Sequence, residues 1–261
     1  MIDDDAAFTL RLAQDARDLR AAQRLRYEVF VAELGGSGPL VDHEARLERD
    51  DFDPFFDHLL LIDQRRDADA LEDVVGVYRV LPSDRLAVAG RFYSEGEFDV
   101  SALKATGRKL LELGRSCVHP DYRGGTAMFH LWNGLAAYVL EREIEILFGA
   151  ASFHGTDVAA LAQPLSYLHH NHLAPPALRV HALPPHRQEM NLIAAPDLDR
   201  RAAMAGTPPL IKAYLRLGGF VGDGAWLDHE FNTTDVCLVM DTERMSDKHR
   251  DFYTRKKARD G

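Results

Sequence analysis

The chain has 261 residues, 46% of them hydrophobic, so it is long enough for one large domain or two small ones. Its net charge of −10 argues against a general nucleic-acid-binding protein, and its acidic N-terminus lacks the basic-then-apolar layout of a signal peptide. No apolar run approaches the roughly 20 residues of a membrane-spanning helix. We therefore expect a cytoplasmic protein. Cys117 and Cys237 lack the spacing of a metal site, which predicts two buried thiols.

The N-terminal part of the chain predicts a strand, a helix and a hairpin. FTLRLA alternates in polarity as a strand does, and Asp15 is suited to cap a helix from about Ala16 to Leu34. HLLLID and DVVGVYRVLP then predict two strands joined by a polar connection. Between helix and hairpin lies an acidic stretch, residues 42–57. It is either solvated surface or a face turned toward a cationic substrate.

The strand DVVGVYRVLP and the later strand LLELGRSCV each carry charges inside apolar sequence. They place Arg79, Glu112 and Arg115 where a sheet is normally buried. Burying a charge without a partner costs several kcal/mol. We therefore expect these charges either to pair with one another or to contact a substrate.

After LLELGRSCV, the sequence HPDYRGG turns the chain into an amphipathic helix, TAMFHLWNGLAAYVLERE. A strand–turn–helix arrangement offers free backbone N–H groups at a helix N-terminus, where phosphate binds. Arg123 adds a forked donor to this turn. A plain tight turn without a ligand is the alternative.

The second half of the chain predicts a buried strand, IEILFGAASF, and a helical start in TDVAALAQPLSYLHH that meets Pro164. A short strand, a helix and two antiparallel strands follow, in ALRVHAL, PPLIKAYLRLGGF, FVGDGAWLDHEF and TTDVCLVMD. We expect a single domain over 1–261, with a Pro-containing insertion at 184–207 and a basic tail at 243–261. The fold class is α/β, with one mixed central sheet and helices on both faces.

The Arg-Gly-Gly turn, the helix after it and the late YLRLGGF resemble the GCN5-related N-acyltransferase superfamily. The resemblance implies that the turn holds the diphosphate of a pantetheine carrier. It also implies a bulge at about 117–119 in the preceding strand, whose backbone N–H polarises the thioester carbonyl. The family's Arg/Gln-x-x-Gly-x-Gly/Ala reads RGGTAM here, which argues against ordinary acetyl-coenzyme A. The implied carrier-binding residues are His119, Arg123, Gly124, Gly125, Thr126 and Ala127. The implied catalytic residues at the end of the preceding strand are Cys117 and Val118.

The N-terminal half is also similar to the acyl-homoserine-lactone synthases, through LRYEVFVAEL, RDDFD, VVGVYRVLP, RFYSEGEF and LELGRSCV. That family carries an Arg-x-x-x-Phe helix motif, an Asp-x-x-Asp loop, a strand arginine and a Glu-x-x-Arg strand. The resemblance implies a charged network beneath an active site. The matching substrate-binding candidates are Arg26, Phe30, Asp50, Asp53, Arg79, Phe92 and Arg115.

Nearly end to end, the chain resembles the ornithine N-acyltransferases that use acyl carrier protein. The supporting segments are ASFHGTD, PLSYLHHNHLAPPALRVHAL and PPLIKAYLRLGGFVGDGAWLDHEFNTTDVCLVMD. The resemblance implies transfer of a 3-hydroxyacyl group from acyl carrier protein to the α-amine of ornithine, the first step of ornithine-lipid synthesis. It implies no cofactor beyond the thioester co-substrate and at most weak peripheral contact with the inner membrane. The substrate-binding candidates in this half are His154, Asp157, Asn232 and Asp235, which are otherwise a helix start and a hairpin turn.

In the reaction that this resemblance implies, Glu112 is the candidate base that takes a proton from the amine, directly or through water. Arg79 or Arg115 is the candidate clamp for the substrate carboxylate, and Asp50 with Asp53 for its second ammonium. A nucleophilic Cys117 is a minority alternative. HHNH lacks a carboxylate or cysteine at ligand spacing, so we expect no metal. Other open functions are an acyl-homoserine-lactone synthase, an acyltransferase for another amino acid, and a non-enzymatic acyl-carrier or lipid-binding module.

Overall fold

The computed structural model describes residues 7–244, and its internal contacts divide the chain into two compact units. Within those residues, the first unit comprises 7–81, 87–89 and 113–143, and the second comprises 82–86, 90–112 and 144–244. Most of the basic tail predicted at 243–261 lies outside the described residues. Within the described part of the chain, no helix is both long and apolar enough to cross a bilayer.

Eleven strands and seven α-helices form the described part of the chain. The strands are β1 (Phe8–Leu12), β2 (Asp57–Asp63), β3 (Val74–Pro82), β4 (Phe98–Asp99), β5 (Leu110–Val118), β6 (Ile146–His154), β7 (His181–Ala182), β8 (Arg187–Gln188), β9 (Phe220–Val221), β10 (Ala225–Asp228) and β11 (Thr233–Asp241). The helices are α1 (Ala16–Arg26), α2 (Leu86–Ala89), α3 (Ser101–Ala105), α4 (Ala127–Arg142), α5 (Ala162–His172), α6 (Arg200–Gly206) and α7 (Pro209–Arg216).

In the first unit, β2 is covered by a helix on each face. β1, β2 and β3 pair antiparallel. Alternate residues of β2 point to opposite faces: Leu60 packs with Ala22 of α1, whereas Leu59 lies beneath Gly134 of α4. A Cβ at Gly134 would lie 2.5 Å from Leu10 Cδ2, so only glycine permits this approach of α4. The predicted helices on both faces of the sheet are confirmed in this unit.

The helix predicted from 16 to 34 is present over nearly that length, but it changes halfway from an α-helix to a π-helix. Asp15 caps it, since its side chain accepts a hydrogen bond from Asp18 N, as predicted. After α1 the chain continues as a π-helix over Tyr27–Glu33. Tyr27, Val29 and Val31 are buried along this segment, in which the backbone hydrogen bonds run five residues back instead of four. Local sequence periodicity does not encode that change.

In the second unit, β5 and β6 pair in parallel over Leu110–Glu112 and Ile146–Phe148, and β6 pairs antiparallel with β11 along its whole length. The predicted antiparallel pairing of the last two strands is confirmed for β10 and β11. The helix predicted to begin before Pro164 begins only at Ala162, as α5. Pro164 therefore lies in the first turn of α5, where its missing N–H costs little. The segment 184–207 contains β8 and α6.

Candidate functional site

Six buried or half-buried charged residues of the first unit form a continuous ionic network. α1 supplies one arginine, β3 and β5 one each, and the acidic stretch supplies all three carboxylates. We call this group the ionic network; its members are Arg26, Glu48, Asp50, Asp53, Arg79 and Arg115. It joins five of the predicted substrate-binding residues to Glu48, which belongs to no sequence motif.

Arg26 and Arg79 are the inner cations of the network. The Arg26 guanidinium is fully buried, contacts the carboxylate of Glu48, and places Nη1 2.5 Å from Asp53 Oδ1. Arg79 Nη1 lies 2.9 Å from Asp53 Oδ1 and 2.7 Å from Asp50 Oδ2. Asp53 therefore bridges two buried arginines, and the two aspartates of the Asp-x-x-Asp loop share Arg79.

The carboxylates of the network stay ionised because their cationic partners outweigh their burial. Burial on its own raises the pKa of Glu48, but the charges of Arg26 and Arg115 lower that pKa to about 2. Burial likewise opposes the charges of Arg26 and Arg79 at Asp53, whose pKa still falls to about 2. With three arginines and three ionised carboxylates, the network is electrically balanced.

Gln23 and His58 support the network, and sequence patterns pointed to neither. Gln23 Nε2 donates to Asp53 Oδ2 at 2.9 Å. His58 Nε2 lies 3.0 Å from the Asp53 carbonyl oxygen, and burial lowers the pKa of this imidazole to about 4. His58 is thus neutral at physiological pH. A further contact within the network region is the Arg79 guanidinium over the ring of Phe56, 4.3 Å from the ring centroid.

The third arginine, Arg115, interrupts β5. Its φ is 47°, in the left-handed region that side-chain-bearing residues adopt rarely. Its Nε and Nη2 lie 3.3 Å from Glu48 Oε1 and Asp50 Oδ2. Arg115 lies two residues before the bulge predicted at about 117–119, which stays a prediction, and His119 N donates to Val75 O at 2.9 Å.

Cys117 and Val118 are the buried last residues of β5, just before the predicted carrier-binding turn. Cys117 packs in the core cluster with α1, and burial raises the pKa of its thiol to about 12. The thiol therefore keeps its proton at neutral pH, which does not favour a nucleophile. The catalytic role of either residue stays a prediction.

The predicted carrier-binding turn lies between β5 and α4. His119 begins a 3₁₀ turn, Gly124 has a φ of 78°, and Arg123 donates through Nε to Val118 O at 3.1 Å. The two terminal nitrogens of Arg123 each lie 2.6 Å from an oxygen of Glu33, at the end of the π-helix. The donor that we predicted for phosphate thus has an intramolecular anion as partner. Three further predicted residues, Gly125, Thr126 and Ala127, lead into α4.

Glu112, the predicted base, lies in the second unit and is 1% exposed. Its carboxylate accepts hydrogen bonds from Tyr93 N (2.8 Å), Ser94 N (2.6 Å) and Ser94 Oγ (2.5 Å). It therefore holds the N-terminus of the 3₁₀ helix Tyr93–Gly96 in place. This contact gives the strand carboxylate a structural role that packing arguments from sequence missed.

Three further carboxylates of the second unit form what we call the acidic cluster: Glu97, Asp228 and Asp235. All three are buried, and one oxygen of each lies within 4.8 Å of the others. Asp228 Oδ1 also accepts hydrogen bonds from Glu230 N and Phe231 N. Oxygen donors in this number suit a hard cation or an ammonium group. Asp235 was predicted from sequence, whereas Glu97 and Asp228 carried no motif.

The other predicted substrate-binding residues fall into two groups. Phe30 packs against the core of the first unit, and Phe92 is fully buried with its ring 4.9 Å from that of Phe148. His154 and Asp157 are exposed near the end of β6, where Asp157 Oδ1 accepts from Ala159 N. Asn232 has a φ of 51° in the β10–β11 turn, as the hairpin alternative requires. A substrate role for each remains a prediction.

Comparisons with known proteins agree on an acyltransferase. A family model described as an acetyltransferase (GNAT) domain matches residues 25–133. A protein of Rhodobacter capsulatus named L-ornithine N(alpha)-acyltransferase is 64% identical over 96% of this chain and 96% of its own. A Brucella abortus protein of the same name is 40% identical over 94% and 88%. A solved CoA-dependent acyl-homoserine lactone synthase with SAM and isopentyl-CoA has a TM-score of 0.50 at 13% identity, covers 93% and 83% of the two chains, and shares the fold.

Proposed function

Since this chain belongs to the L-ornithine N(alpha)-acyltransferase family and has the GNAT acyltransferase fold, we propose that it acylates the α-amine of ornithine. The acyl donor in this proposal is a 3-hydroxyacyl thioester of acyl carrier protein, and the product is a lyso-ornithine lipid. The observation that carries the proposal is the 64% identity to a relative of that name over nearly the whole of both chains.

The proposed chemistry is direct transfer without an acyl-enzyme. The amine of ornithine loses a proton and attacks the thioester carbon, an amide bond forms, the C–S bond breaks, and the carrier thiol takes a proton. Glu112 is the proposed base, acting through a water, because its two oxygens already hold the Tyr93–Gly96 turn. A base within reach of the proton typically contributes about 10²–10⁴-fold to the rate.

The carrier side of the proposal involves Arg123 and the turn that follows it. The phosphate of the carrier's pantetheine arm exchanges with the Glu33 carboxylate on the Arg123 guanidinium, since both are anions that fit the same forked donor. No further cofactor is part of the proposal. The protein is proposed to act in the cytoplasm, with at most weak contact at the membrane surface.

The test is a mass-spectrometric assay with 3-hydroxyacyl carrier protein and a panel of acceptors that includes ornithine, other amino acids and S-adenosylmethionine. We expect a product of ornithine plus the acyl group. A product only with S-adenosylmethionine or another amino acid contradicts the ornithine assignment, and no released thiol with any acceptor indicates a binding module.

The role of Glu112 is tested in the same assay by Glu112→Gln, with Ser94→Ala as the matched control. The control removes one hydrogen bond to the carboxylate but leaves its charge. We expect the glutamine variant to lose at least about 100-fold in kcat and the alanine variant to keep kcat within about tenfold. Equal losses in both variants, together with equal drops in melting temperature, indicate a purely structural carboxylate.

A further inference from the structure

Of the three arginines in the ionic network, Arg115 differs from Arg26 and Arg79 in burial and in the length of its ion pairs. The side chains of Arg26 and Arg79 are 0% and 1% exposed, whereas that of Arg115 is 14% exposed. Its contacts with Glu48 and Asp50 are 3.3 Å long, compared with 2.7–2.9 Å for those of Arg79. Arg115 is therefore the outermost cation of the network.

The connectivity of the network makes Arg115 the arginine that can change partners at the lowest cost. If Arg115 turns away, Glu48 keeps its contact with Arg26, and Asp50 keeps Arg79 at 2.7 Å. Breaking a buried pair is costly chiefly because it leaves a charge without its counterion. Release of Arg115 leaves each carboxylate beside a close arginine.

The inner arginines do not have this property. Release of Arg79 leaves Asp50 with Arg115 at 3.3 Å, and release of Arg26 leaves Glu48 with the same distant cation. Both inner arginines also bind Asp53, a buried carboxylate that bridges them. Their geometry is that of a brace for α1 and β3.

The backbone gives an independent indication. Arg115 adopts a left-handed conformation in the middle of a strand, which is strained for a residue with a side chain and tends to persist at ligand-binding sites. The conformation also changes the direction in which the side chain leaves β5, because it breaks the alternation of the strand.

We propose that Arg115, and not Arg79, binds the carboxylate of the amino-acid substrate and thereby selects free amino acids as acceptors. This inference rests on the proposed function, in which the acceptor is ornithine. The substrate carboxylate takes the place of Glu48 or Asp50 on the forked guanidinium, and the displaced carboxylate stays paired with Arg26 or Arg79. The network thus receives an additional anion without leaving any of its own charges unpaired.

The test compares two acceptors, ornithine and ornithine amide, which differ only in the group that Arg115 is proposed to bind. We expect the wild type to prefer ornithine in kcat/KM. Arg115→Gln should lower kcat/KM for ornithine about 10- to 100-fold and leave that for the amide within a few-fold, because a charge-assisted bond is lost for one acceptor only. Arg79→Lys is the matched network variant and should affect both acceptors equally.

Equal losses for both acceptors in Arg115→Gln, or a preference for ornithine that survives the change, overturn the inference. If the glutamine variant does not fold, Arg115→Lys keeps the charge and removes the fork. A higher KM for ornithine alone then supports the inference, and parallel changes for both acceptors overturn it. A wild type that acylates neither compound removes the proposed function as well, whereas a wild type that acylates ornithine with unchanged selectivity in the Arg115 variants removes only the inference.

Discussion

The two units each bury a group of charged side chains, but the two groups are built in opposite ways. The ionic network of the first unit places three arginines among three carboxylates, and each carboxylate contacts two cations. The acidic cluster of the second unit brings three carboxylates within 4.8 Å of one another. A balanced network stabilises the elements that carry it, whereas a cluster of like charges is suited to receive a proton or a cation.

The largest effect is expected from breaking the balance of the network. Arg26→Gln removes a fully buried guanidinium and leaves Glu48 and Asp53 with the more distant arginines, so we expect a loss of about 3–5 kcal/mol in the free energy of unfolding. Arg49→Gln is the control, because Arg49 pairs with Asp42 where the two side chains are 44% and 33% exposed, and such pairs contribute about 1 kcal/mol or less. Urea unfolding of both variants measures the difference. Similar losses would show that burial of the network adds nothing.

Acidification should weaken the same network in two stages. His58 is held neutral with a pKa of about 4, below its ordinary value of 6.5, so its protonation favours the unfolded chain as the pH falls from about 6.5. The pKa values of Glu48 and Asp53 are lowered to about 2, so the stability they confer is present above their ordinary values of 4.5 and 3.8 and is lost below them.

Urea unfolding between pH 7 and pH 3 should therefore show a free energy that falls throughout and most steeply below about 4.5. His58→Gln is the matched variant, and its curve should be flatter between pH 6.5 and pH 4.5 with the steep lower part retained. A wild-type free energy that stays constant down to pH 4 contradicts the buried, ionised state of these groups.

The smallest effect is expected at the acidic cluster, and it has the opposite sign. Asp228→Asn keeps an acceptor for Glu230 N and Phe231 N and removes one of the three neighbouring charges. We expect the free energy of unfolding to rise by on the order of 1 kcal/mol, because one of three closely spaced carboxylates is replaced by a neutral amide. Asp99→Asn is the control, since Asp99 also accepts from a nearby backbone N–H, at Ser101, but lies outside the cluster.

If Asp228→Asn instead lowers the free energy of unfolding by as much as Asp99→Asn does, the contrast between the ionic network and the acidic cluster is wrong. If an added cation stabilises the wild type more than Asp228→Asn, the acidic cluster binds it. The same titration with a matched neutral solute separates binding from a general solvent effect.

Alternation and helical periodicity in the sequence predict most of the strands and helices. Apolar residues two apart mark the buried face of a strand, and those three or four apart mark that of a helix. The strands β2, β3, β5 and β6 and the helix α4 could be predicted in this way. So could the charged residues Arg79, Glu112 and Arg115, since charges inside apolar strands are conspicuous. The membership of the family followed from motifs that are local in sequence.

Only the tertiary structure decided which partner each charge has. Glu48 looked like one more residue of an acidic stretch, yet it lies between Arg26 and Arg115. Glu112 contacts the backbone of a turn 18 residues earlier in the chain, and Asp228 meets Glu97 only because β10 brings it there. Burial and pairing depend on long-range contacts, and neither residue type nor spacing encodes those contacts. The sequence therefore identifies the arginines, but only the contacts of the ionic network separate Arg26 and Arg79, which brace the fold, from Arg115.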